Sequence, residues 1–453
     1  MTPHELRASI SLASIYALRM LGMFLILPIF AIYAETLPGG SSHIMIGLAL
    51  GAYGLTQAIF QLPFGMASDR YGRKRVIYFG LLLFAVGSVV AAMAHDIAWI
   101  MIGRSIQGAG AVSAAVTALL ADLTREEHRT KAMAMIGGTI GVTFAFSLVA
   151  GPALNQWIGV PGIFAMTGVL AVLAIVVVRF VVPDPLLSRF HSDAEAVPAK
   201  LAEVLKNTEL LRLNFGIFAL HAAQMAMFIV VPFALRSSGG LDENHHWQVY
   251  LPIMLISFVL MVPAIIYGEK KGRLKRVFVA AIALMLGAQL LFAVSIQSFW
   301  GIVGSLTVYF IAFNVLEASL PSLISKIAPA ASKGTAMGVY NTAQSLGVFV
   351  GGALGGWMSH AYGYAAVFLF CGVLMALWLI FALSMKAPPA VKSRMFHLGE
   401  MTAEQGQKLA GQLASVHGVR EAVVLAGEGV ALLKVDLRDW DEQAAMQLIE
   451  KGE

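Results

Sequence analysis

One cysteine, Cys371, stands in 453 residues, and it lies inside an apolar run. An intrachain disulfide and a thiolate metal cluster are therefore excluded. Charge is scarce as well: Asp, Glu, Lys and Arg supply 13% of the chain against 58% from hydrophobic types, departures in opposite directions from ordinary globular usage. No G-x-x-x-x-G-K-[ST] phosphate loop, H-E-x-x-H helix or G-x-S-x-G elbow occurs, so the chain is not expected to be an enzyme. A cleavable leader is also missing. Residues 10–34 are long enough to span a bilayer, contain Arg19 and lack a small-residue cleavage site, so they read as a retained first helix.

What is present is a series of apolar runs near the length that crosses a hydrocarbon core. Breaking the chain at charged or turn-rich points gives twelve spans: 10–34, 43–67, 76–94, 97–121, 132–155, 160–182, 211–235, 247–267, 277–296, 299–327, 335–358 and 364–385. Of the 31 Lys and Arg residues, Arg236 alone falls in a loop on the outer side, while Arg19 and Arg104 fall well within spans, away from their ends. That asymmetry predicts both termini in the cytoplasm. It also accounts for the net charge of +5, so nucleic acid is excluded as a partner. The lipid bilayer takes its place.

The stretch Gly65-Met66-Ala67-Ser68-Asp69-Arg70-Tyr71-Gly72-Arg73-Lys74-Arg75 is a charged hinge between two uncharged runs. Gly72 suits a tight turn with positive φ, and Asp69 sits at a helix end. The pattern G-x-x-x-D-R-x-G-R-K-R resembles the hallmark between helices two and three of the major facilitator superfamily of secondary transporters. That resemblance covers about residues 10–385 and implies a fold: an all-α polytopic membrane protein with twelve transmembrane helices in two six-helix halves. It also implies a role for Gly65, Asp69, Arg70, Gly72 and Arg73, joined by Asp122 on the same side, as a conformational gate that latches the halves while the pathway faces outward. The expected counterpart is the start of span eleven, around Ser332 to Ala336.

An internal repeat supports two halves. Leu21-Gly22-Met23-Phe24 through Pro28 aligns with Met225-Ala226-Met227-Phe228 through Pro232 at an offset of 204, and at the same offset Lys131-Ala132-Met133 meets Thr335-Ala336-Met337 and Gly151 meets Gly355. Near it, Glu269-Lys270-Lys271-Gly272-Arg273 echoes Asp69 to Arg73. The divisions are residues 1–182, a cytoplasmic linker at 183–210 with a surface helix, residues 211–386, and a soluble unit at 387–453. In that last unit a strand (395–398), a helix (402–415), a hairpin (421–425 and 430–437 around Gly427-Glu428-Gly429) and a helix (441–451) give a βαββα order. It reads as a small α+β ferredoxin-like cytoplasmic domain and looks like a relative of heavy-metal-associated domains. The C-x-x-C of those domains is missing, and His397 and His417 are poor substitutes, so neither metal nor cofactor is expected.

Ionisable groups inside spans need an explanation. Glu317 is the one carboxylate well inside a span, with Asn314 a turn earlier on the same face, and is the leading proton carrier; Asp122 and Glu35 are the alternatives. Arg104 and Gln107 share a face in a stretch that resembles the family's fourth-helix pattern, whose arginine is implicated in proton coupling. Against that stands a structural reading, Arg104 bonded to carbonyls of a neighbouring helix. Arg19 has no matching motif. His221 and Gln224 read as polar cavity lining. Gly138, Gly141, Gly151 and Pro152 in span five are similar to the antiporter motif of the family's drug exporters, with Ser147 and Asn155 departing from it; ordinary helix packing is the competing account. The expectation is a monomeric, proton-coupled secondary transporter of a small molecule in a bacterial inner membrane, an exporter working by antiport. A proton symporter, or a transporter-like sensor signalling through its C-terminal unit, are the alternatives.

Overall fold

The structure is a computed structural model that describes residues 1–124, 126–184, 200–329, 332–387, 391–399, 401–427, 429–436 and 439–452. The linker helix expected between 183 and 210 is met by α8 (Leu201–Lys206); residues 185–199, the hairpin tip Glu428, the strand end Leu437 and the side chain of His397 lie outside the described residues.

Helices dominate because a backbone in hydrocarbon must satisfy its own N–H and C=O groups. In chain order they are α1 (Pro3–Phe24), α2 (Phe30–Glu35), α3 (His43–Tyr71), α4 (Arg73–Ala92), α5 (Ile97–Ala109), α6 (Ser113–Leu123), α7 (Glu126–Phe180), α8, α9 (Thr208–Ser237), α10 (Trp247–Lys270), α11 (Leu274–Ser295), α12 (Phe299–Ile327), α13 (Lys333–Tyr362) and α14 (Tyr364–Ser384). Among the described residues, nine helical stretches are long and apolar enough to cross a membrane. Polar caps set several starts: Thr2 and Glu5 form a capping box on α1, and Asp96, Asn207 and Ser298 accept backbone N–H groups at α5, α9 and α12.

Four spans differ from their sequence reading. The first is broken at residues 25–29, where Pro28 removes a donor and its ring excludes a helical carbonyl. The fourth is broken at residues 110–112, where Gly110 lies against the Gly80 carbonyl too closely for any side chain. Spans five and six form one helical stretch bent at Gly159, whose φ of 64° only glycine adopts readily.

The repeat is structural. At an offset of 204, His43 at the start of α3 meets Trp247 at the start of α10, and the bend at Gly159 meets the α13–α14 turn at Gly363, φ 82°. The two sets of helices meet chiefly along α3 and α13. There His43, Gly47 and Gly54 face Gly356, Gly352 and Ser345 so closely that a Cβ on any of these glycines would strike backbone. A second row on α13, Gly347, Gly351 and Gly355, packs on Phe218, Ala222 and Ala226 of α9.

Beyond α14 come β1 (Val391–His397), α15 (Ala403–Ala414), β2 (Val419–Leu425), β3 (Val430–Asp436) and α16 (Glu442–Gly452). The sheet order is β1-β3-β2, with both pairings antiparallel. Leu409, Leu413, Leu433, Val435 and Ala445 fill the space between sheet and helices. Thr402 and Gln405 cap α15 reciprocally. This unit touches the helical body: Lys434, 6% exposed, donates to the Ala328 carbonyl at the end of α12 and pairs with Glu421 at 3.1 Å.

Candidate functional site

In the first set of helices the polar side chains converge on Tyr53 of α3. The Arg104 guanidinium carbon lies 4.7 Å from the centroid of that ring and the Arg19 carbon 5.9 Å from it. Arg104 Nη1 donates to Gln107 Oε1 at 2.9 Å, and Gln107 Nε2 donates to Ser88 Oγ at 2.8 Å. The helix face shared by Arg104 and Gln107 is thus a hydrogen-bonded relay to α4, and the alternative of an arginine held by a neighbouring helix's carbonyls is not what the structure gives. Arg19 Nη1 donates to Ser113 Oγ at 2.8 Å. Both arginines are buried, yet among the described residues Nε and Nη2 of each, and the Tyr53 hydroxyl, have no hydrogen-bond partner.

In the second set the polar residues gather around Glu317 of α12. Its side chain is 32% exposed, and His221 Nε2 lies 3.9 Å from Oε2, a distance of approach without a hydrogen bond. That ring nitrogen is 2.7 Å from Gln344 Nε2 of α13, and His221 Nδ1 faces the Ile217 carbonyl at 3.2 Å. Asn314 is turned to Ser257 Oγ of α10 at 2.8 Å. Gln224 is buried one turn from His221. The hydroxyls of Tyr309 and Tyr340 are buried without partners. Rings from both sets close the middle of the seam: Phe144 lies 5.0 Å from Phe24 and 5.6 Å from Phe313.

At the His43 end of the seam further pairs tie the sets together. Arg236 Nη2 meets Glu35 Oε2 at 2.6 Å, His43 Nδ1 meets Ser359 Oγ at 2.9 Å, and Asn155 donates to Asn244 at 2.8 Å. His43 also stacks on Phe233 at 5.0 Å. Asn155, which departs from the glycine-repeat pattern, therefore carries a cross-seam bond of its own.

At the opposite end, Gly72 takes φ 95° and separates α3 from α4. Arg73, 4% exposed, pairs with Asp69 and with Asp122 (Nε to Oδ2, 3.3 Å) and donates to Ser68 Oγ at 3.0 Å. Gly65 lies against Ala114 of α6. Arg70 is exposed, stacked over Tyr71. Lys74 pairs with Asp184 at 2.7 Å, which holds the Asp184 carboxyl below its ordinary range. The Ser332 hydroxyl at the start of α13 donates to Glu203 of α8 at 3.2 Å. In the span-five glycine pattern, the close-packing reading requires correction at two positions: among the described residues, a Cβ on Gly138 or Gly141 would meet nothing within 4 Å. Gly151 differs, pressed on the Leu25 carbonyl where α1 is broken.

Sequence reasoning did not single out Tyr53, Ser113, Ser257 or Gln344. The repeat held a signal for three of them: at the offset of 204, Ser113 is the counterpart of Glu317, and Tyr53 and Ser257 are counterparts of each other. Tyr53 otherwise reads as one more aromatic residue in an apolar run.

The fold, the duplicated halves and the hinge define a membrane transporter. The chain belongs to the Major Facilitator Superfamily, whose profile matches residues 12–352 and 254–419. It is similar to the inner membrane transport protein YajR of Escherichia coli, 44% identical over 96% of this chain and 95% of that one. The quinolone resistance protein NorA of Staphylococcus aureus is 24% identical over 79% of this chain and 91% of its own. A bacterial homologue of the human lysosomal transporter Spinster, in an inward-facing and occupied conformation, superimposes with a TM-score of 0.71 at 14% identity, covering 84% of this chain and 97% of that one.

Proposed function

We propose that the chain is a proton-coupled secondary transporter of a small molecule, working by alternating access. It is read as a monomer of twelve crossings with both termini in the cytoplasm of a bacterial inner membrane, its C-terminal unit a ferredoxin-like domain on the cytoplasmic side. One observation carries the coupling: Glu317 is partly exposed, and its Oε2 lacks a hydrogen bond among the described residues. A carboxylate that is wetted in one conformation and dried in the next changes its proton occupancy between them. His221, Gln344 and the Tyr309 and Tyr340 rings surround the group from α9, α13 and α12. The Asp69–Arg73–Asp122 cluster, in which the Arg73 and Asp122 side chains are buried, is read as the gate, and the contacts at the His43 end as the closed side of the seam.

Export by exchange is supported by the glycine run of α7 and by the likeness to a quinolone resistance protein. Co-transport is a second reading, favoured by the charges: two cations in one set of helices and one acid in the other. Proteoliposomes with an internal pH dye and an imposed gradient, challenged first with quinolones and then with organic carboxylates, separate the two by the direction in which protons move. Glu317→Gln is expected to lower proton movement to that of protein-free liposomes while retaining substrate binding. Wild-type proton flux in that variant removes Glu317 from the mechanism. Binding without flux in the wild type would leave the transporter-like sensor, with Lys434 and the end of α12 as its line of contact.

A further inference from the structure

Arg19 and Arg104 are the anomaly of the membrane region. Each is almost wholly removed from solvent, both lie within 6 Å of one tyrosine ring, and among the described residues neither has a carboxylate partner. A guanidinium presents five N–H donors. The structure gives one hydrogen bond from Arg19, to Ser113, and one from Arg104, to Gln107. Among the described residues, four buried donor atoms, Nε and Nη2 of each, are left without acceptors. The π face of Tyr53 attracts cations but accepts no in-plane hydrogen bond, and Tyr53 Oη is itself unpartnered. Buried charge persists when it is matched, and the free Nε and Nη2 edge of a guanidinium is the edge that receives a carboxylate through two parallel bonds.

We infer that the Arg19–Arg104 pair is the recognition site for the carboxylate of a small organic anion, and that the transported molecule belongs to that class. The inference rests on the transporter reading above. The two arginines supply charge and planar donors, and Tyr53 supplies a flat wall between them. Ser113 and Gln107 orient the forks: each takes one Nη1 bond and leaves the Nε–Nη2 edge for the ligand. Gln107 is fixed in turn by Ser88, so the Arg104 fork is pre-organised by a relay of uncharged groups. Uncharged orienting groups leave the charge of the pair for the ligand, where an acid would cancel it. A cationic drug is disfavoured here by the same charges.

The test uses the full chain in lipid nanodiscs with benzoate as probe and benzamide, its uncharged isostere, as control, read by calorimetry and thermal shift. Benzoate is expected to bind and benzamide to bind at least tenfold more weakly. Arg19→Gln and Arg104→Gln are each expected to weaken benzoate by about 30-fold or more, the scale of leaving one partner of a buried charge pair unmatched. Arg104→Lys keeps the charge without the fork and is expected to fall between. Equal binding of benzoate and benzamide overturns the inference, and that comparison needs only the wild type, so variants that fail to fold do not shield it. Tight binding of tetraphenylphosphonium unaffected by either arginine variant overturns it too. Glu317→Gln separates this inference from proton coupling. Benzoate binding retained with flux lost supports both; benzoate binding absent with coupled flux of another solute intact rejects the anion site alone.

Discussion

The two sets of helices share a repeat yet carry opposite charge at matching depth. Where the first places Ser113, the second places Glu317; where the first aims Arg19 and Arg104 at Tyr53, the second offers Asn314 to Ser257 at the position equivalent to Tyr53. The repeat matches in helix starts and turns, while the polar residues differ, with cations in one set and an acid in the other. The first set thus holds two buried cations and the second a partly exposed acid, and the net charge of these polar side chains taken together changes when Glu317 gains or loses a proton. Under the proposed coupling, that asymmetry would give a proton a way to alter how firmly a charged solute is held.

The largest effect is expected from making the two walls alike. Ser113→Asp would set an acid against the Arg19 nitrogen that now lies 2.8 Å from the hydroxyl, supplying inside the protein the anion we assign to the ligand. Benzoate binding is expected to fall by at least about 30-fold. The variant is also expected to unfold no earlier than wild type, because a buried cation gains a partner. Calorimetry and thermal unfolding measure both. Undiminished benzoate binding would show that the arginines do not act through their free donors.

A smaller effect comes from the hinges, where the halves differ in burial. In the first, Arg73 bridges Asp69 and Asp122 with side-chain exposures of 3% for the arginine and 0% for Asp122; in the second, Glu269 pairs with Lys326 at 2.7 Å with exposures of 43% and 23%. A charge-assisted bond out of water is worth about 1.5–3 kcal/mol and an exposed pair about 0–1 kcal/mol. Asp122→Asn is therefore expected to lower thermal stability clearly, and Glu269→Gln hardly at all. Equal losses would mean that the first cluster is wetter than its geometry implies.

These contrasts mark what could be read from the sequence. The long apolar helices were legible because hydropathy is a local property, and Gly72 announced its turn because positive φ at a charged hinge is a glycine position. The βαββα order of the last residues was legible from alternation and caps. The breaks in the first and fourth spans were not, since they depend on what packs alongside: Gly110 on Gly80, and Gly151 on Leu25. Arg104 and Gln107 could be paired by helical spacing. Their convergence with Arg19 on Tyr53 could not, because no local spacing relates α1, α3 and α5. Gly138 and Gly141 misled for the converse reason: a small-residue spacing says that a helix can approach, not that one does.

Asp69 bears on how the hinge works. In this structure it pairs with Arg73, and the Ser332 hydroxyl at the start of α13 is given to Glu203. If Asp69 meets the amides of α13 only when the seam closes at the Gly72 end, that contact is worth roughly 0.3–2 kcal/mol. Asp69→Asn is then expected to shift the population toward the conformation described here by about 2- to 30-fold. Spin labels on the Gly72-end turns of α3 and α13 report it. An unchanged distance distribution would leave the hinge with topology alone.

The smallest effect is expected at the other end of the seam. Glu35 and Arg236 meet at 2.6 Å, but their side chains are 42% and 41% exposed, so water competes for both and the pair contributes about 0–1 kcal/mol. Arg236 also lies over the Phe233 ring at 5.4 Å, and Phe233 stacks on His43 beside the close glycine contacts of α3 and α13. Those contacts are apolar or backbone packing and are indifferent to salt, whereas an exposed ion pair weakens as the screening length shortens from about 10 Å at 0.1 M salt to about 3 Å at 1 M. Arg236→Gln is therefore expected to open the His43 end by no more than about fivefold in population at low salt. At high salt, wild type and variant are expected to coincide. Labels at the His43 ends of α3 and α13, measured at both salt concentrations, make the comparison. A larger, salt-independent opening would place the closure of this end in Arg236 and its aromatic neighbour, with the glycine seam only following.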